Sequence, residues 1–359
     1  MEENFRTDLA DERLAEAKVR KKVIDGIEQN IIKYSKKIKI IETNVLNENG
    51  SRLISKPTGN YTTIAFENKD VTSKMNFSKL KKAFCEVLQK YLDFEGPILV
   101  VGLGNKNMSA DYLGPKVIDD IDVHEAIENS FFNNETQSAK AENIFSSKTF
   151  DENKNEIEKN EYEEKNKSEQ KKSKDENKKE DLKILKTNKN YYTEKPKRIV
   201  YAISPGVIGT TGMETSDIIN GIISKVDVSG MIIIDSLKSQ KVSRLFRTIQ
   251  ITDTGITPGA GVGNRRKEIS FSTTGKKVIA IGVPTVVDTQ TIILDILEIL
   301  SNRIKEFGFM NDLNFEEKSK ILRSALEDSD GNLIVMPKEI DCLVDNIKEV
   351  ISYGINNAV

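Results

Sequence analysis

Two aspartates follow apolar runs of strand-like composition, and they are the residues of this chain best placed to do acid–base chemistry. Asp111 lies in PILVVGLGNKNMSADYLGP, residues 97 to 115, where an apolar run ends in glycines and a carboxylate follows. Asp235 follows the apolar run MIII. In an open α/β sheet the loops that leave the carboxyl ends of the strands form the crevice where ligands bind, so each aspartate is expected at one side of such a crevice. Two carboxylates on neighbouring strand ends can share a proton, because like charges a few ångströms apart do not both ionise cheaply. One can then act as general base on a water while the other gives a proton to a substrate carbonyl, which hydrolyses a peptide without a covalent intermediate. The competing role for Asp111 is structural: just before a helix start it would be a cap, stabilising that helix by roughly 1 kcal/mol.

The rest of the composition narrows the chemistry. The 359 residues hold one histidine, His124, in a polar helix-like stretch, and no GxSxG elbow accompanies it, so acid–base work falls on carboxylates or on perturbed Lys or Tyr. Cys85 and Cys342 sit in helix-like apolar surroundings without a CxxC pair, and read as buried thiols rather than a disulfide or a zinc site. Fifty-four basic residues are matched by 56 acidic ones for a net charge of -2, which gives no electrostatic footprint for nucleic acid. Apolar runs are strand-length and MEENFRTDLADE holds no signal-peptide core, so neither membrane nor export is expected and the chain is placed in the cytoplasm.

The elements that must position the two aspartates can be read in order. RTDLADERLAEAK is polar and reads as loose, and the run to Ile32 reads as a helix with a solvated, charge-alternating face. Residues 37 to 43 and 61 to 66 alternate as half-buried strands do, forming a small N-terminal sheet region. Phe77, Leu80, Phe84, Val87, Leu88, Tyr91 and Leu92 recur at helical spacing and predict a helix packed on the sheet. Strands are predicted at 97–103, 198–203, 231–234, 248–252 and 278–283, and helices at 112–121 and 288–300, with two more amphipathic helices between 315 and 359. This alternation argues for an α/β fold with a mostly parallel sheet and helices on both faces. From about 132 to 196 the chain turns to Lys, Glu, Asn and Ser, a composition that cannot bury enough surface to offset its ordering, so a disordered insertion is expected there. It divides one domain, 9–131 and 197–359.

Two glycine-rich loops add candidate binding groups. In SPGVIGTTGMETSDII, Gly206 and Gly209 would let a peptide backbone or an anion approach, and Thr211 with Glu214 has capping-box spacing. In DTGITPGAGVGNRRKE, Arg265 and Arg266 could grip a main chain or a carboxylate, or the loop could be only a flexible connection. No phosphate-loop or dinucleotide fingerprint occurs.

VVGLGN with DYLGPK, SPGVIGTTGMETSDII, IIIDS, TIQITDTGITPGAGVGNRRKEIS and VIAIGVPTVVDTQTI, with RTDLA near the start and MPKEID near the end, closely resemble the germination protease family of spore-forming bacteria. The resemblance implies a core similar to that of the hydrogenase maturation endopeptidases. It also implies an endopeptidase that begins the degradation of small acid-soluble spore proteins in the spore core, made as a zymogen and assembled as a homotetramer. Carried over by position, the family's two proposed catalytic aspartates are Asp111 and Asp235, and self-processing falls between Asp8 and Leu9, with residues 1–8 as pro-segment. T-D-L-A-D-E is similar to the T-E-[FIL]-A-S-E pattern cut in the substrates, so the pro-segment would be a substrate mimic. No cofactor is expected. Two other readings stand beside it: a divalent-metal peptidase with the same aspartates as ligands, and a glycine-loop module that binds a peptide or anion without cleavage.

Overall fold

The computed structural model describes residues 7–20, 25–67, 78–123, 198–259, 266–303, 313, 315–328 and 333–359. His124 and the 132–196 insertion lie outside the described residues. Nine strands form one mixed sheet: β1 Ile27–Lys33, β2 Ile38–Val45, β3 Gly59–Phe66, β4 Ile98–Gly102, β5 Val200–Ile203, β6 Gly230–Lys238, β7 Thr248–Thr252, β8 Lys277–Asp288 and β9 Ile334–Val335. Their order is β1-β2-β3-β7-β8-β6-β4-β5, with β9 pairing β8. The strands from β8 to β5 run parallel, and those from β1 through β7 to β8 antiparallel, so the N-terminal strands continue the sheet that carries the two aspartates.

Helices cover both faces, as an α/β sheet buried on both sides requires. Side chains alternate across a strand, and the alternation here is clean. Ile98, Val100, Ile232, Ile234, Ile249, Ile251, Ile279 and Ile281 point to one face. There they meet α3 Ser78–Tyr91, α4 Leu113–Ile118 and the C-terminal helix Ile340–Ala358. The expected stripe of the first of these is buried through Leu80, Phe84, Val87 and Leu88. Fully burying each such side chain contributes about 1.5–3 kcal/mol. On the opposite face Leu99, Val101, Met231, Ile233 and Val278 meet Ile219 of the helix Thr215–Ile223. Farther along that same face, α1 Ala10–Arg20 and α2 Glu48–Ile54 cover Val45 and Tyr61. Between these two covers, over the middle strands, a crevice opens, lined by Arg13 on one side and Thr215 on the other.

Several local expectations change. The N-terminal stretch is not loose: Thr7, Leu9 and Ala10 are fully buried and Asp8 nearly so. Helix is described over Ala10–Arg20, and within the stretch expected to be helical to Ile32 residues 27–33 are instead strand β1, paired over its full length with β2. The alternating charges there mark an edge strand, whose exposed face tolerates polar residues, and not a helix face. Met231–Ile234 is the middle of β6, which continues to Lys238 because β8 pairs with it that far. Asp235 is therefore inside a strand, not at its end. Both cysteines are free thiols as expected but neither is fully buried; Cys342 is exposed. Thr211 and Glu214 make no capping box: the Thr211 hydroxyl accepts the Met213 N–H at 3.2 Å, and Glu214 begins the next helix without a side-chain cap.

Candidate active site

Asp235 belongs to the face that the gap leaves open. Leu103, just past β4, donates its N–H to Ile234 O at 2.8 Å, which carries the loop after β4 alongside Asp235. That loop turns back at once, since Gly104 adopts φ +118°, a conformation that L side chains rarely adopt. Asp111 ends a short 3-10 turn, Ser109–Asp111. Its carboxylate accepts the Asn105 N–H at 2.9 Å, and the Thr285 hydroxyl of β8 holds the loop by donating to Ala110 O at 2.7 Å. The side chain is thus bound to its own loop and is not a helix cap; Tyr112 precedes α4, and that end has no side-chain cap. Asp111 lines the same crevice as Asp235.

The crevice encloses about 990 Å³. The Asp235 carboxyl is buried, and its pKa is pushed well above the ordinary carboxylate value by desolvation first and by the Asp111 charge second, with Asp8 adding to the rise. The Ser236 N–H, 2.8 Å from Oδ1, opposes this only in part. Asp111 is half-buried and also raised by desolvation, against the Asn105 N–H. Pairs of carboxyls whose environments push their proton affinities apart divide into an acid and a base.

Asp8 lines this crevice, and each residue from Thr7 to Ala10 is held by a hydrogen bond. The Asp8 N–H donates to Lys238 O at 2.9 Å, and the Lys238 N–H donates to Asp8 Oδ2 at 2.9 Å, so the Asp8 backbone and side chain both grip the end of β6. The Lys238 ammonium points elsewhere, to Asp288 at 3.4 Å. Thr7 donates its hydroxyl to Glu12 at 2.5 Å, and the Arg13 guanidinium donates to Thr7 O at 2.8 Å. Glu12 in turn accepts the Gln240 N–H at 2.9 Å, while Arg244 bonds Asp11 and lies 3.7 Å from Glu12. Burial raises the Glu12 carboxyl despite these partners. Lys56, at the crevice wall, is pushed down to about 8 by burial and by the Arg13 charge, against the pull of Asp8.

The other sequence candidates divide. Gly206 and Gly209 line the crevice, as does Arg266, which lies 3.8 Å from Glu214. Arg265 falls outside the described residues. Among the described residues no group of three or more His, Cys, Asp or Glu side chains could hold a metal ion, so Asp111 and Asp235 lack a third ligand of those types there. Gln250, Lys56 and Arg13 also line the crevice, and no sequence signal marked them: a glutamine in a strand and basic residues beside a turn are ordinary surface chemistry until the fold turns them inward.

The sequence profile described as germination protease matches residues 6–139 and 183–308. A germination protease of Clostridium tetani is 34% identical over 349 residues, 94% of this chain and 89% of that protein. One of Clostridium perfringens is 31% identical over 99% of this chain and 95% of its own length, and one of Bacillus licheniformis is 30% identical over 99% and 93%. Agreement at this level along nearly the whole chain, with both aspartates in one crevice, leaves a single assignment: this chain belongs to the germination protease family.

Proposed function

We propose that this protein is an endopeptidase that starts the breakdown of small acid-soluble spore proteins at germination, and that it first cuts its own chain between Asp8 and Leu9. The observation that carries this reading is that Asp8 lines the crevice that Asp111 and Asp235 also line, with its neighbours Thr7, Leu9 and Ala10 buried, since T-D-L-A is the segment that resembles the substrate pattern. In the proposed reaction Asp111, the less buried carboxylate, takes a proton from water as the water oxygen bonds to the Asp8 carbonyl carbon. Asp235 gives its proton to the carbonyl oxygen. The tetrahedral intermediate collapses when a hydroxyl proton returns to Asp235, the carbon–nitrogen bond breaks, and Asp111 passes its proton to the Leu9 nitrogen. One water is consumed, and a new carboxyl and a new amine are released.

After that cut, the same crevice would take the substrate. The protein would assemble as a homotetramer in the spore core, as the family resemblance implies; no helix among the described residues is long and apolar enough to cross a membrane. The test is incubation of the full-length chain alone, followed by N-terminal sequencing. A new terminus at Leu9 in the wild type, and an intact chain in Asp111→Asn and in Asp235→Asn, is the expected outcome. Normal self-cleavage in either variant refutes the assignment.

A further inference from the structure

Gln250 is a buried glutamine at the middle of β7, and its two polar atoms reach the main chain on both sides of the Asp8–Leu9 bond. Its Oε1 accepts the Ala10 N–H at 2.8 Å, and its Nε2 donates to the Asp8 carbonyl oxygen at 3.4 Å. The register explains why this side chain meets that peptide. Gln250 pairs with Gly282 of β8, and Gly282 pairs with Asp235 of β6, so the three residues form one row across the sheet. Residues in one such row share a face, which here is the face opposite Ile234, Ile249 and Ile281. Asp235 and Gln250 stand two strands apart, roughly 10 Å between backbones, with a glycine in the row between them. A Cβ on Gly282 would lie 2.3 Å from the Leu237 side chain. The row therefore has a carboxyl at one end, an amide at the other and no side chain of its own in the middle.

We infer that Gln250 spans the scissile peptide, its amide N–H polarising the carbonyl that water attacks while its amide oxygen fixes the chain on the far side of the bond. This rests on the proposed self-cleavage between Asp8 and Leu9. Donors aimed at a carbonyl oxygen stabilise the charge that gathers there as the tetrahedral carbon forms, and catalytic hydrogen bonds that are long in the resting state tighten as it does. The 3.4 Å separation to Asp8 O is such a resting contact, whereas the 2.8 Å bond from Ala10 is already formed. Because both contacts are to the main chain, the grip applies equally to a substrate that takes the place of residues 7–10, whatever its side chains.

The two functions of the amide separate in two variants. Gln250→Glu keeps an oxygen for the Ala10 N–H and loses the donor when ionised; Gln250→Met removes both at similar length. Self-cleavage of each full-length variant is followed by the mass of the Leu9-terminated product, with a thermal melt alongside, and amide exchange at Ala10 is measured in the uncleavable Asp235→Asn background. Both variants are expected to cleave at least about tenfold more slowly. Gln250→Met is expected to melt near the wild type and Gln250→Glu lower, since it puts an unpaired carboxylate in a buried site, with Ala10 protected in Gln250→Glu and exchanging fast in Gln250→Met. Wild-type cleavage by either variant, with Asp235→Asn inactive, overturns the role of Gln250 and leaves the aspartate reading standing. Normal cleavage by Asp235→Asn overturns the reading on which it rests.

Discussion

Gly104→Ala is the perturbation that isolates the placing of Asp111 from its chemistry. A Cβ at residue 104 would stand 2.0 Å from the Asp111 carbonyl oxygen and 3.0 Å from its Oδ1, and the backbone there has φ +118°. The strain of an alanine at such an angle is about 1–2 kcal/mol. Relieving the contact requires the turn that ends in Asp111 to retreat by about 1 Å, and a misplacement of that size costs on the order of 100-fold in rate. The matching control is Gly212→Ala: φ is +71° but no atom lies within 4 Å of the added carbon, so it carries strain without displacing either aspartate. The assay is the rate at which full-length protein yields the Leu9 terminus, read beside the melting temperature. Gly104→Ala is expected to lose about 100-fold in rate, and Gly212→Ala to melt lower with little change in rate. Wild-type rate in a folded Gly104→Ala would show that the position of Asp111 does not govern cleavage, and the reasoning would fail.

Three further outcomes follow from the same geometry. Arg244→Ala leaves the buried carboxylates Asp11 and Glu12 without their cation, which is expected to destabilise the fold by about 3 kcal/mol and lower the melting temperature by several degrees; an unchanged melt would refute the pairing. The Asp235 carboxyl has a higher pKa folded than unfolded, so its contribution to stability is fully present below the unfolded value and is lost as pH rises toward the folded one. Asp235→Asn escapes that loss, and its melting temperature relative to wild type is expected to climb from acidic to neutral pH; a difference that does not vary with pH would contradict the shift. Exhaustive chelation is expected to leave self-cleavage at its full rate, and loss of cleavage restored by a divalent ion would favour the metal-dependent reading instead.

The parts of the fold that were legible in the sequence are those fixed by local pattern. The buried strand of residues 248–252 was readable to the residue, and the long apolar stripe of the helix over residues 78–91 to within a residue or two, because burial on one or both sides writes itself into periodicity. The pair of aspartates was likewise visible, each beside a run of aliphatic residues. What was hidden depends on partners remote in the chain. Thr7, Asp8, Asp11 and Glu12 look like a solvated terminus until Lys238, Ser239, Gln240 and Arg244 satisfy them some 230 residues away. Asp235 lies within β6 and not at its end because β8 continues to pair with it, and pairing length is set by the neighbour. Gln250 gave no signal, since its meaning lies in a row of three residues brought together from three strands.

The account depends on Asp111 and Asp235 behaving as one titrating unit. Carboxyl carbon NMR of the full-length chain labelled at aspartate measures that directly. The Asp235 signal is expected to titrate well above the ordinary carboxylate range and to move back toward it in Asp111→Asn, where the neighbouring charge is gone. An Asp235 that titrates as a free aspartate does, with the same midpoint whether or not residue 111 carries a charge, would contradict the shared-proton chemistry.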